Sequence, residues 1–156
     1  MPSDLGRPVP PGTRSSSGSG LRVSLTLRGD YAVRTMLALG RAPEGGLVSA
    51  SRIAAMMDIP IRFVAHVLTD LRRAGLVVGQ TGRTGGYRLA KPASEIDLLQ
   101  IVDATQEQSE PPRCVLRGGP CDVHGRCDVH DAFSAATLAL RAELARTTLE
   151  ALARRR

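Results

Sequence analysis

Residues 49–89, SASRIAAMMDIPIRFVAHVLTDLRRAGLVVGQTGRTGGYRL, decide how this chain folds. Ser49 carries a side-chain oxygen suited to capping a helix N-terminus, and the short helix behind it would bury Ile53, Ala54 and Met57. Asp58-Ile59-Pro60 interrupts that helix, because the residue before a proline resists the helical region. A second helix is expected from about Ile61 to Ala74. Phe63, Val64, Val67, Leu68 and Leu71 recur at three- and four-residue steps and line one apolar face. Arg62, Ala65, His66, Thr69, Arg72 and Arg73 fall on the opposite face, and Gly75 is the expected stop. Leu76-Val77-Val78 and Tyr87-Arg88-Leu89 then read as two short strands around a polar tip from Gly79 to Gly86. The pattern predicts a mainly α fold, a winged helix–turn–helix with a small β-hairpin wing. A basic second helix beside a wing bearing Thr81, Arg83 and Arg88 has the shape and charge to lie on a DNA duplex.

The charge distribution agrees with that reading. The chain has 156 residues and a net charge of +6. Residues 25–91 hold ten Arg/Lys against four Asp/Glu, whereas residues 92–156 hold eight against ten. The excess positive charge therefore sits on the helix–turn–helix half, where a polyanionic partner would need it. The bland alternative is a solvated surface in an arginine-rich chain. Hydrophobic residues make up 42%, aromatics only 3%, and tryptophan is absent, so the core must be aliphatic. No signal-peptide core or membrane-length apolar run is present. Three cysteines cannot close a complete disulfide framework, and a cytoplasmic location with reduced thiols follows as the default.

Three segments are expected: a disordered tail over 1–22, a winged helix–turn–helix domain over 23–92, and a helix, Cys-rich loop and dimerisation helix over 93–156. The first twenty residues, rich in Pro, Ser and Gly, cannot bury enough apolar surface to offset their ordering entropy. A strongly apolar helix should run from about Asp30 to Arg41, with Asp30 as its N-cap. Past Pro92, a helix from about Ile96 to Thr105 is expected, then a polar loop from Gln106 to Arg113. A long helix should follow from Asp131 to about Ala153. Phe133, Ala136, Leu140, Leu144, Thr148 and Leu152 lie near one face, with Leu138 and Leu149 alongside. A lone surface helix would leave that stripe wet. Crossing a second copy in a homodimer would cover it; packing back on the chain's own winged domain is the other solution.

The chemistry-bearing loop lies between, CVLRGGPCDVHGRCDVH over 114–130. Cys114, Cys121 and Cys127 are joined by His130, three positions after the last cysteine, and His124 lies between. Surrounding glycines and prolines let the loop turn its sulfurs toward one point. Thiolates suit zinc and iron–sulfur clusters. Structural zinc ordinarily takes close cysteine pairs that this loop lacks, whereas a cluster accepts wider spacing. The residues alone point to metal binding and leave the metal open.

Residues from about Val23 to Leu152 resemble bacterial winged-helix regulators of the iron–sulfur cluster regulator and nitric-oxide-sensing repressor family. LTLRGDYAVRTMLAL (25–39), DLRRAGLV (70–77), GGYRLAKP (85–92) and the three-cysteine loop followed by HDAF (130–133) carry the resemblance. It implies a homodimeric, operator-binding regulator, expected to be a repressor, whose three cysteines hold a 2Fe–2S or 4Fe–4S cluster, 2Fe–2S being favoured. The Cys127-x-x-His130 ending resembles that of the cluster regulator, which makes His130 the expected fourth ligand. Asp30, placed where the nitric-oxide sensor supplies an aspartate, is the alternative. Two departures bear on the operator. Ala65 and His66 stand where the cluster regulator carries Glu and Gln, and Thr81 stands where its wing arginine lies, Arg83 coming two positions later. His66 then either meets a base edge or caps the helix surface, and Arg83 either enters a minor groove or stays a solvated loop charge. The resemblance also begins near Val23, so translation from the Val23 codon is an expectation. A winged-helix regulator with structural zinc or a metal-free thiol loop is the competing reading. No nucleotide-cradling loop, Cys-x-x-Cys pair or acid–base set supports a redox enzyme.

Overall fold

The computed structural model describes residues 24–106 and 127–155. The tail expected over 1–22, the loop after Gln106, and Cys114, Cys121 and His124 lie outside the described residues. Helices α1 (Leu27–Gly40), α2 (Ala50–Met57) and α3 (Ile61–Arg73) are followed by β1 (Val77–Gln80) and β2 (Gly86–Leu89). A 3-10 turn at Ala93–Glu95 leads to α4 (Leu98–Asp103), and α5 (His130–Arg146) and α6 (Leu149–Ala153) complete the order. The strands pair antiparallel, Val77 with Leu89 and Gln80 with Gly86. Val48 extends the hairpin base by a short bridge, exchanging two 2.9 Å backbone hydrogen bonds with Tyr87. Gly86 is needed there, because a Cβ would come within 2.9 Å of the Val48 carbonyl oxygen.

The core is aliphatic, as composition demanded: Met36, Ile53, Val64, Val67, Leu68 and Leu71 meet Ile96, Ile101 and Leu149 in one cluster. Tyr31 and Phe63 flank it with ring centroids 5.5 Å apart. The α2–turn–α3 unit follows its pattern. The Ser49 side chain accepts from the Arg52 N–H, Asp58 takes a left-handed conformation with φ of 51°, and Pro60 stands before α3. Ile53 is fully buried, while Ala54, Met57 and Phe63 are half-buried.

Three expectations are corrected. Helix α1 begins at Leu27, and its N-cap is Thr26, whose hydroxyl accepts from the Gly29 N–H at 3.1 Å. Asp30 therefore lies within the first turn, a position that favours a carboxylate but does not cap. A glycine near a helix start costs little, and Gly29 is buried against Thr26 and Leu25. Ile96 is not helical: it is extended and buried, and Asp97 caps α4 through a 2.8 Å bond from the Gln100 N–H. Finally, the expected helix over 131–153 is two helices. Thr147 is extended, and Thr148 caps α6 by accepting from the Ala151 N–H. The break is held by 2.9 Å and 2.7 Å backbone bonds, from Leu98 N–H to Thr147 and from Leu149 N–H to Ile96. Leu149 is thereby buried against α1, where a Cβ on Gly40 would lie 3.3 Å from Leu149 Cγ. The C-terminal turn packs back on its own domain, and α5 is left with Phe133, Leu138 and Leu140 exposed.

Candidate nucleic-acid interface and cluster ligands

Helix α3 presents Arg62, Ala65, His66, Thr69, Arg72 and Arg73 to solvent, all exposed, while its other face is locked into the core. Arg62 stacks its guanidinium 5.0 Å from the Phe63 ring centroid, which stiffens a long cation at the start of the helix. Thr69 donates its hydroxyl to the Ala65 carbonyl at 2.9 Å. Thr69, Arg72, Arg73 and Val77–Gly79 line an open seam between α3 and the wing. Arg72 leans to the wing side, its Nε 3.7 Å from where a Cβ on Gly79 would lie. At the wing tip, Thr81 and Arg83 are exposed, Gly82 has φ of 116°, and Arg88 is exposed on β2. A convex basic helix and a basic hairpin flanking a seam form the surface a duplex would meet.

Behind that surface lies an acid that the apolar periodicity does not mark. Asp70 is on α3 yet 5% exposed. Its Oδ2 accepts from Arg28 of α1 at 2.8 Å (Nε) and 2.6 Å (Nη2), and its Oδ1 lies 3.7 Å from Arg73 Nη1. Hydrogen bonds to charged groups contribute about 1.5–3 kcal/mol, and the half-exposed Arg28 puts this pair toward the lower end. No local periodicity signals a contact between positions 28 and 70; a buried-face acid in a basic helix was the available hint.

Of the expected cluster ligands, Cys127 and His130 are described. They bracket one turn at the start of α5, closed by a 2.9 Å bond from the His130 N–H to the Cys127 carbonyl, and both are half-buried. Asp30 stands elsewhere, on α1, with both carboxylate oxygens on Arg34: Oδ1 3.1 Å from Nε and Oδ2 2.9 Å from Nη2. Among the described residues, no three His, Cys, Asp or Glu side chains converge to hold a metal. A soft thiolate and an imidazole on one turn match the donor chemistry of a cluster site. Helix α5 is braced by Arg141, whose Nη1 and Nη2 reach the two Asp103 oxygens at 3.0 and 2.8 Å. That hydrogen bonding, and then the opposite charge, raises the Arg141 pKa further, so the brace stays charged.

Residues 25–155 match the Rrf2 family, described as iron-dependent transcriptional regulators. The chain belongs to the Rrf2 family. It is 34% identical over 106 residues to the HTH-type transcriptional regulator IscR of Escherichia coli O1:K1, across 68% of this chain and 65% of that one. The fold matches IscR of T. potens with a TM-score of 0.65 at 24% identity, over 85% of this chain and 86% of the other. It also matches CymR, the global cysteine regulator of B. subtilis, with a TM-score of 0.67 at 23% identity, over 85% and 97%. At those identities the two structures establish the winged-helix fold. This Rrf2 chain is accordingly a DNA-binding transcriptional regulator and not an enzyme. Among its described residues, no helix is long and apolar enough to cross a membrane.

Proposed function

We propose that this Rrf2 regulator is a cytoplasmic, homodimeric repressor whose operator binding is controlled by an iron–sulfur cluster, 2Fe–2S in preference to 4Fe–4S, on Cys114, Cys121, Cys127 and His130. The observation that carries the DNA half is the exposed α3 face beside the wing seam. In this reading Arg62, His66, Thr69 and Arg72 meet the major groove or its phosphates, with Ala65 allowing close approach. Arg73 and Arg88 meet phosphate, and Thr81 and Arg83 extend into the adjacent groove. When bound, the cluster would supply iron that responds to oxidation, nitric oxide or iron–sulfur supply. The chain contributes a ligand turn fixed to α5. Helix α5 is braced on α4 through Asp103, and α4 packs on α1, which carries α3.

His130 is favoured over Asp30 because it shares its turn with Cys127, whereas the Asp30 carboxylate is occupied by Arg34. Exposed Phe133, Leu138 and Leu140 on α5 support pairing with a second copy. The test is oxygen-free purification, followed by absorption spectra, iron, sulfide and zinc analysis, and DNA binding by loaded and stripped protein. Iron and sulfide in equal amounts, with operator affinity that changes on stripping, is the expected result. Zinc, or no metal with unchanged affinity, would give the role to a structural zinc or metal-free thiol loop.

A further inference from the structure

Arg28 and Asp70 face one another across 42 positions of sequence, and neither belongs to the DNA face outlined above. Arg28 lies in the first turn of α1, with its side chain 47% exposed. It lines the same shallow groove as His66 and Phe63 of α3, so it stands beside the reading face. The Asp70 carboxylate is buried and holds Arg28 by Nε and Nη2 through a single oxygen. Among the described residues, Arg28 Nη1 has no hydrogen-bond partner. A guanidinium has five N–H donors in a rigid fork, so one edge can be anchored while the other stays available.

Burying a carboxylate in a helix whose other charges are Arg62, Arg72 and Arg73 works against attraction to a polyanion. It makes sense if it sets the position of a cation worth more than the charge it cancels. Asp70 also draws Arg73 toward α1 while Arg72 leans to the wing, which spreads two consecutive arginines.

We infer that Arg28 is a DNA-backbone contact, held in place by Asp70 acting as a positioning residue, so that the binding surface extends from α3 onto the first turn of α1. The inference rests on the reading of α3 as the DNA-facing helix. Anchored at one edge by Asp70, Arg28 offers Nη1 to a phosphate oxygen flanking the bases under His66. Pre-anchoring removes rotamer freedom before binding, so less is lost on contact.

The test uses the full chain and a duplex selected from a random-sequence library by the wild-type protein, with affinity measured across a salt series. Replacing one phosphate-contacting arginine should flatten the salt slope by about one unit. Arg28→Ala is expected to do so and to weaken binding about tenfold, whereas Arg146→Ala on α5 leaves the slope unchanged. Where Arg28→Ala does not fold, Arg28→Gln keeps a hydrogen bond to Asp70, loses the charge, and should flatten the slope equally. In an Asp70→Asn background, Arg28→Ala should cost much less affinity, because the arginine is no longer held. A lowered Tm with an unchanged salt slope in both Arg28 variants would make the pair purely structural and overturn the inference. Additive effects of Arg28→Ala and Asp70→Asn would overturn the positioning role. Wild-type protein that selects no duplex would instead overturn the functional reading itself.

Discussion

Gly85 shows how narrowly the wing tip is specified. A Cβ there would run into the Gln80 carbonyl oxygen and come within 3.0 Å of the Gly82 carbonyl oxygen, both backbone atoms that cannot swing aside. Gly85→Ala should therefore reshape the tip that carries Thr81 and Arg83 while leaving the core intact. The expectation is a Tm near wild type with duplex affinity down about tenfold, read by calorimetry and a binding titration. The same tip was only half legible in sequence: the glycines announced a turn, but its width followed from pairing Gln80 with Gly86. Asp30 and His130 make a second contrast at this scale. Asp30→Ala removes a half-exposed i,i+4 pair with Arg34, worth about 0.3–0.5 kcal/mol, and should leave the spectrum of anaerobically purified protein unchanged. His130→Ala should alter that spectrum and weaken cluster retention most, with His124→Ala having the smaller effect. Cluster loss in Asp30→Ala with an unchanged His130→Ala spectrum would move the fourth ligand to Asp30.

The elements most visible in sequence were those whose partners lie close along the chain. The helix–turn–helix and wing needed only a capping serine, an interrupting proline, a three-to-four periodicity and a glycine-flanked turn, all local signals. The start of α1 was misplaced because Asp30 is itself a good N-cap residue, although the Thr26 hydroxyl supplies the cap one turn earlier. The break between α5 and α6 had no local signal strong enough to read. Thr147-Thr148 is weakly unfavourable in a helix, but what opens it is backbone pairing with Ile96 and Leu98 about fifty positions earlier. The docking of α6 can be measured. Thr148→Ala removes its N-cap and should cost about 1 kcal/mol. Leu149→Ala opens a cavity against Gly40 and should cost about 2–5 kcal/mol, so that denaturant midpoints fall in that order.

For the whole molecule, the division of charge and apolar surface fits two kinds of association. The basic half carries α3 and the wing, and the other half carries the exposed Phe133, Leu138 and Leu140 of α5. Leu138→Glu with Leu140→Glu should shift the protein to a monomer in sedimentation and weaken duplex binding, because two half-sites would no longer be engaged together. A dimer that persists with both glutamates would place the contact elsewhere. The proposed role of α3 and the wing as the surface that meets DNA is open to direct test. The most direct measurement is the affinity and salt dependence of the Arg62→Ala, His66→Ala, Arg72→Ala, Arg83→Ala quadruple variant on the duplex selected by wild-type protein, with its fold checked by circular dichroism. The expected result is a folded protein that has lost selective binding, with a salt slope flatter by about three units for the three arginines removed. A folded quadruple variant that binds the selected duplex as wild type does would contradict it.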